Sequence, residues 1–526
     1  MSNWWQGAVI YQIYPRSFYD SKSDGIGDLA GITSKLDYVA SLGVDGIWIS
    51  PFFKSPMHDF GYDVADFRDV DPIFGTLEDF DRLLAKAHSL GLKVIIDQVY
   101  SHASIECDWF KESRKSRTGD KADWFVWADA NADGSPPNNW QAVFSGAAWT
   151  WCAARKQYYL HNFLPEQPDL NLHNPDVQEE MLAVAKFWLD RGVDGFRLDA
   201  TNFYMHDPEL RDNPSIINPD SVRPFDLQDQ RYNQSHKDIP AFLARLRTLM
   251  DSYDDRFTVA EVGGRRSFEE MVEYTAGETL LNTAYSFVFL EEDELTPENI
   301  RQPIEEWSKT TASWPSWTFS NHDRKRVVSR WERGQDKAAF AKAMNALLLS
   351  LRGTLFLYQG EELGLPQAHV PFERLADPEA IRNWPETLGR DGCRTPLPWR
   401  DRDNNGGWSE GENWLPIDAA HYPLCVENQE KDDSSTLAFT RRLLALRKSH
   451  PVLTRGDIRF CDTKAPILAF TRTMGDETLL CVFNLGTADA QLDAIADDAQ
   501  FLFGFGGVTN ARAATIPVCG GFIAKI

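Results

Sequence analysis

The chain has 526 residues, 43% hydrophobic and 25% charged, which allows a sizeable core and excludes wholesale disorder. Its 54 Lys and Arg against 78 Asp and Glu leave a formal charge of −24, a sign that repels phosphate backbones and anionic membrane surfaces. Neither nucleic acid nor a membrane is therefore expected as a partner. Seven cysteines, with no closely spaced pair, fit neither a disulfide framework nor a zinc site. No leader-like N-terminus and no run of about 18 apolar residues is visible, so a cytoplasmic monomer or homodimer is expected.

Residues 8–15 are a short apolar run, read as strand one. Residues 34–42 have helical spacing and stop at Gly43. Residues 46–50 are strand two. Residues 76–90 open with Thr76 and Asp79, a capping-box pattern, and end at Gly91. Residues 93–99 are strand three. Short buried strands alternating with amphipathic helices indicate parallel βα units. The alternation lapses over residues 101–172, rich in Trp, Asn, Pro and Asp, which are read as a small inserted domain. It resumes with a helix at 176–191 and strand four at 192–200. Strands five, six, seven and eight follow at 257–262, 280–287, 317–320 and 354–358. A nearly all-apolar helix at 338–351 precedes strand eight, and an amphipathic helix at 434–449 follows it. Eight strands with intervening helices predict an α/β fold, a closed (β/α)8 TIM barrel built from residues 1–100 and 173–455. The polar stretch 207–237 after strand four is read as a lid. Beyond it all, residues 456–526 turn to alternating β-like runs at 467–472 and 478–483, which predict a C-terminal antiparallel β-sandwich.

Strand four carries Arg197 and Asp199 two residues apart, so both share one face while Phe196 and Leu198 take the other. Alone, such a pair reads more readily as a structural ion pair than as a nucleophile held ionised by a cation. In a barrel, however, functional residues gather where strands end. There the sequence places Asp97 with Ser101 and His102, Arg197 with Asp199, Glu261, Asn321-His322-Asp323, and, after strand two, Asp59, Tyr62 and Asp63. Their convergence on one rim favours a site. Carboxylates without a serine or cysteine nucleophile motif suit glycoside chemistry, where retention needs a nucleophile and an acid about 5–5.5 Å apart. Asp199 beside Arg197 is expected to stay ionised. Glu261, behind Val259 and Ala260, is expected to have a raised pKa suited to an acid. A separate loop, Asp20 to Asp28, alternates oxygens: the carboxylates of Asp20, Asp24 and Asp28 with the carbonyls of Lys22 and Ile26. This is either an oxygen cage for a hard cation or an acidic surface turn.

Four ordered segments carry a resemblance: Asp97-Gln98-Val99-Tyr100-Ser101-His102, Gly195-Phe196-Arg197-Leu198-Asp199, Ala260-Glu261-Val262 and Ser320-Asn321-His322-Asp323. They resemble the motifs of the α-amylase family, glycoside hydrolase family 13, over nearly the whole chain. Gln167-Pro168-Asp169-Leu170-Asn171, Tyr11 to Phe18 and Arg390 to Pro396 resemble its α-glucosidase and oligo-1,6-glucosidase branch. Ser101 departs from the Asn usual before the first-motif His, which many α-amylases use to hold calcium. The resemblance implies that Asp199 is the nucleophile, Glu261 the acid and then base, and that Asp323 grips the 2- and 3-hydroxyls of a glucose. Arg197, His102 and His322 would support that ring. Asp59, with Arg390 or Arg394, would cap its 4-hydroxyl. Tyr62 would stack under it, and Phe144 and Phe163 would wall the pocket. The resemblance also implies structural Ca2+ or Mg2+ in the loop of Asp20, Lys22, Asp24, Ile26 and Asp28, and no organic cofactor. In this branch Val after the nucleophile goes with α-1,6 bonds, and Ala or Thr with α-1,4; here the residue is Ala200. The expectation is a retaining exo-acting α-glucosidase on short α-1,4-linked glucosides (maltose, or sucrose), with transglucosylation. An oligo-1,6-glucosidase, a sucrose isomerase or hydrolase and a trehalose-forming mutase are the alternatives. A non-catalytic barrel subunit is disfavoured, because all three carboxylates are present.

Overall fold

A computed structural model describes residues 3–526 apart from 219–220, 222, 310–312, 386, 388, 402–404 and 493–498. Eight parallel strands run in order: β1 (Val9–Ile13), β2 (Gly46–Ile49), β3 (Lys93–Gln98), β4 (Gly195–Leu198), β5 (Phe257–Val262), β6 (Thr283–Ser286), β7 (Ser316–Thr318) and β8 (Thr354–Tyr358). Every residue in them except Lys93 is buried. That is why they read as continuous apolar runs rather than alternating ones: a parallel strand covered by helices has no wet face. Backbone ladders join seven of the eight junctions, including β8 to β1. Side chains hold the remaining one, between β6 and β7: Thr283 Oγ1 donates to the Trp314 carbonyl at 2.6 Å and Ser316 Oγ to the Ala284 carbonyl at 2.9 Å. Ile10, Trp48, Ile95, Val259, Tyr285 and Phe356 cluster as the apolar filling of the barrel.

The helices follow the sequence with instructive differences. The first helix, α1, spans Leu29–Leu42, five residues longer at its start than the spacing suggests. Asp28 caps it, accepting the Gly31 N–H at 2.6 Å, and Gly31 blurs the apolar period. The second, α2 (Leu77–Ser89), has both arms of its capping box formed by Thr76 and Asp79. Within the inserted stretch, Gln157–Leu160 pairs antiparallel with Trp127–Ala128 on one side and Trp149–Cys152 on the other, over its own core of Trp140, Trp149 and Leu160. α3 (Pro175–Asp190) then leads into β4.

The C-terminal part is a five-stranded antiparallel sheet, in the spatial order Asp457–Phe460, Ile467–Met474, Glu477–Asn484, Gly521–Lys525, Gln500–Phe505. It is less symmetric than the expected sandwich. One face, with Ile467, Leu480, Val482 and Phe522, packs with a two-stranded ribbon, Ala490–Gln491 with Thr515–Ile516. The other, with Leu468, Phe470, Leu479 and Phe483, joins the core of the barrel. The barrel thus serves as the sheet's second layer. Arg472 secures the joint, donating to the Ser350 carbonyl at 2.6 Å and the Gly456 carbonyl at 2.9 Å. All seven cysteines are unpaired. Among the described residues no helix is long and apolar enough to cross a membrane.

Candidate active site

At the C-terminal mouth of the barrel one fully buried guanidinium organises three carboxylates. Arg197, on β4, donates Nη1 to Asp97 Oδ1 at 2.8 Å and to Asp199 Oδ1 at 2.5 Å; its Nη2 meets Glu261 Oε1. Its Cζ lies 4.9 Å from the centre of the Trp48 ring. Asp199 sits just past the end of β4, where the chain turns out of the sheet. Ala200 makes that turn in the left-handed region, at φ +41°, and donates its N–H to Glu261 Oε2 at 3.2 Å. Trp48 Nε1 and the Tyr62 hydroxyl fill the other oxygen of Asp97, at 3.1 and 3.2 Å.

Because one cation serves three acids, the electrostatics differ from the simple pair read in the sequence. Burial pushes Asp199 up to about 7, and Arg197 only partly pulls it back. Burial raises Glu261 to about 7 and Asp97 to about 6 in the same way. Arg197 therefore does not keep Asp199 fully ionised on its own. The direction expected for Glu261 holds, but its cause is enclosure of the whole group rather than the two apolar residues before it. Asp199 and Glu261 titrate as a pair that retains a proton near neutrality.

Asp323 is the opposite case. Burial opposes its ionisation, but the guanidiniums of Arg394, Arg390 and Arg197 outweigh it and hold the carboxyl well below the usual range. Arg394 Nη2 lies 2.8 Å from Asp323 Oδ1, and His322 Nε2 lies 3.2 Å from Oδ2. Burial drives His322 far down, so it is a neutral ring held between Gln12 at 2.8 Å and the Tyr62 hydroxyl at 2.5 Å. Tyr62 and His322 stack 5.5 Å apart at 9°.

One end of the site is shut. Asp59 Oδ1 pairs with Arg390 Nη2 at 2.8 Å, and Asp59 Oδ2 takes Gln167 Nε2 at 3.2 Å. Arg390 is itself fixed by Asp377 at 2.7 Å and lies 4.8 Å over the ring of Phe144. His102 stands between Ser101 Oγ at 2.9 Å and Gln167 Nε2 at 3.1 Å, with Phe163 at 5.1 Å; burial lowers it to about 4, so it is neutral too. These groups surround a cavity of about 400 Å³, within the range of small-molecule sites. Asp59, Tyr62, His102, Phe144, Phe163, Asp199, Ala200, Glu261, Asp323 and Arg390 all line it. Arg197, His322 and Arg394 stand behind it, fully buried. Arg390, not Arg394, therefore faces the cavity.

The outer wall is the part sequence reasoning missed. Asn218, Arg223, Phe225, Gln230 and Gln234 reach it from the segment 207–237, Arg265, Phe287, Glu291 and Arg324 from loops after β5, β6 and β7, and Glu379 from beyond β8. Arg223 Nη1 bridges to Glu379 Oε1 at 2.7 Å across the mouth. Only the length and polarity of 207–237 hinted at this wall; its individual side chains follow no periodicity.

In the Asp20–Asp28 loop the carboxylates expected to hold a cation also bond the loop's own backbone. Asp20 already accepts the N–H groups of Lys22, Ser23 and Gly25, each at 2.8 Å, and the Ser409 hydroxyl at 2.6 Å. Asp24 accepts the Ile26 N–H at 3.0 Å, while Asp28 caps α1 and takes the Ser21 N–H at 3.0 Å. The three carboxylates do not share a ligand-sized cluster among the described residues. Their oxygens stitch the loop together instead, and the Lys22 ammonium adds a bond to the Ile73 carbonyl at 2.9 Å.

A (β/α)8 barrel with buried carboxylates grouped round a blind pocket at its C-terminal mouth is the architecture of a glycoside-processing enzyme. The sequence matches the model of the alpha amylase catalytic domain over residues 12–456. It is 50% identical over 536 residues to a probable alpha-glucosidase of Rhizobium meliloti (strain 1021), covering 100% of this chain and 97% of that one. It is 37% identical over 543 residues to the oligo-1,6-glucosidase of Heyndrickxia coagulans, covering 96% of each. The crystal structure of the alpha-glucosyl transfer enzyme XgtA is similar at a TM-score of 0.96 and 48% identity, over 100% of both chains. The chain belongs to the α-amylase family, glycoside hydrolase family 13, and is a glycoside hydrolase.

Proposed function

We propose that this enzyme is a retaining exo-α-glucosidase that removes single glucose units from the non-reducing end of short α-1,4-linked glucosides and passes part of them to alcohol acceptors. The observation that carries this reading is the placement of Asp199 and Glu261 on one guanidinium fork, both facing the cavity. So short a bridge suits the spacing of about 5–5.5 Å that retention needs, rather than the 6.5–9.5 Å of inversion. Asp199 attacks the anomeric carbon as its bond to the glycosidic oxygen breaks, and Glu261 gives that oxygen its proton. Glu261, now a base, takes a proton from water or an acceptor hydroxyl, whose oxygen displaces Asp199 from the sugar. The one proton held by the pair near neutrality is the one this cycle uses. Asp323, kept anionic, accepts from the ring hydroxyls and stabilises positive charge at the anomeric carbon.

The Asp59–Arg390 pair under Phe144 leaves room for a single ring beyond the scissile bond, which supports exo action. The methyl of Ala200 beside Asp199 leaves space on the aglycone side, in keeping with α-1,4 bonds. The wall bridged by Arg223 and Glu379 narrows the acceptor side, which favours an alcohol over water; the name of XgtA agrees with such transfer. The test is hydrolysis of p-nitrophenyl α-glucoside by the native enzyme and by Asp199→Ala, with products followed on maltose, isomaltose, sucrose and trehalose. Release of α-glucose first, from maltose ahead of isomaltose, with activity abolished in the variant, is expected. Equal rates, or β-glucose as the first product, would overturn it.

A further inference from the structure

The segment 207–237 leaves and rejoins the barrel at one spot, and three histidines meet there. His206 precedes it, His236 lies at its end, and His173 directly follows the inserted stretch, just before α3. The His173 ring lies 5.1 Å from that of His206 and 4.9 Å from that of His236. Ligand-capable atoms of His173, His236 and Asp238 all lie within 4.8 Å of one another, the one such group of three among the described residues. The cluster contributes nothing to the wall of the catalytic cavity.

We propose that His173, His236 and Asp238 form a site for a divalent transition metal, zinc or cobalt by chemistry, at the root of the lid. His173 Nε2 lies 2.7 Å from the His206 carbonyl, so that nitrogen carries the proton and the other ring nitrogen keeps its lone pair. This is the outer hydrogen bond that metal-bound imidazoles commonly make. His236 Nδ1 accepts the Asp238 N–H at 3.3 Å and lies 3.5 Å from Asp238 Oδ2, so a metal there would take the place of that long hydrogen bond. Tetrahedral zinc, with bonds of about 2.0–2.1 Å, holds neighbouring ligand atoms about 3.3–3.4 Å apart, so this pair already stands near metal spacing. The remaining closure falls to the Asp238 side chain, 56% exposed, which can change rotamer without disturbing the core.

Two imidazoles and one carboxylate suit zinc, cobalt or nickel, whereas calcium and magnesium take oxygen. A fourth position, on the exposed side by Asp238, falls to water. The ion has no part in glycoside cleavage. It ties the end of the lid to the exit of the inserted stretch, and so steadies the wall that carries Arg223, Phe225 and Gln230.

The test is titration of the dialysed enzyme with Co2+, followed by visible absorption, then with Zn2+ by calorimetry, and thermal unfolding with and without Zn2+. One equivalent of zinc that displaces cobalt and raises the Tm is expected. His236→Gln and Asp238→Asn should each weaken binding at least tenfold and cancel the rise in Tm, while turnover of p-nitrophenyl α-glucoside without added metal stays within twofold of the native enzyme. Absence of a stoichiometric equivalent in the native enzyme overturns the site. So does zinc that binds both variants as tightly, since it is then held elsewhere.

Discussion

Replacing Arg390 by lysine separates the closed end of the pocket from its floor. The guanidinium spans Asp377 at 2.7 Å and Asp59 at 2.8 Å, a fork that the point charge of a lysine cannot reproduce. Asp377 is fully buried and the lysine ammonium remains with it, which spares most of the 3–5 kcal/mol that a stranded buried charge costs. Asp59 then loses its cation and keeps only Gln167. A hydrogen bond to a charged group is worth about 1.5–3 kcal/mol, so kcat/KM for p-nitrophenyl α-glucoside should fall about 10- to 150-fold. The loss should be specific to one hydroxyl. A 4-deoxyglucoside cannot use the Asp59–Arg390 cap, and the native enzyme should already be slow on it. Arg390→Lys should slow it by less than threefold more. Initial rates on both substrates, with a melting curve to confirm that the variant is folded, make the comparison. An equal loss on both substrates would refute the capping role of Arg390 and with it the reason given for exo action.

Other outcomes follow from the same geometry. The folded value of Glu261, about 7, lies above its ordinary 4.5, so its proton stabilises the fold below about 4.5 and that stability is lost as pH rises through about 7. Glu261→Gln, neutral throughout, should gain in Tm on the native enzyme between pH 5 and 8, while kcat falls about 10²- to 10⁴-fold and the alkaline limb of its pH profile disappears. A Tm difference that shrinks with rising pH would contradict this. Ala200→Val puts a β-branched residue at φ +41°, at a cost of about 1–2 kcal/mol, and should lower the maltose-to-isomaltose ratio of kcat/KM at least tenfold; the ratio is read from glucose release. Glu379→Gln cuts the bridge to Arg223 and should at least halve transfer relative to hydrolysis, measured by chromatography with maltose as donor and glycerol as acceptor. Adding Ca2+ or Mg2+ to the dialysed enzyme should leave its Tm unchanged, because the Asp20–Asp28 carboxylates are already used by the loop itself; a rise of several degrees would restore the oxygen cage.

The eight strands were legible because burial on both faces forces apolar runs that stand out between amphipathic helices. Thr76 and Asp79 were legible because a capping box is local, complete within four residues. Asp199, Glu261 and Asp323 were legible for a different reason: each stands at or beyond the C-terminal end of a strand, and a barrel brings strand ends together whatever the loops do. The geometry that depends on long-range closure was not. Ser409 reaches Asp20 across 389 positions, a contact that no local pattern announces. Arg223, Phe225 and Glu379 arrive from irregular segments in which nothing repeats. The sharing of Arg197 among three acids was hidden too, since strand periodicity assigns Arg197 and Asp199 a face but does not say what β3 and β5 bring to it.

That sharing has a thermodynamic consequence. At the inner end of the pocket six carboxylates (Asp59, Asp97, Asp199, Glu261, Asp323 and Asp377) stand against three guanidiniums (Arg197, Arg390 and Arg394), and the proton on the Asp199–Glu261 pair makes up part of the deficit. A sugar-shaped ligand that carries its own positive charge can supply it instead. Its arrival should expel the pair's proton, so that binding of such an amine is linked to proton release and tightens as pH climbs, until the amine itself deprotonates. The enclosure that raises both carboxyls above their ordinary range should thus also make the pocket exchange a proton for a bound cation.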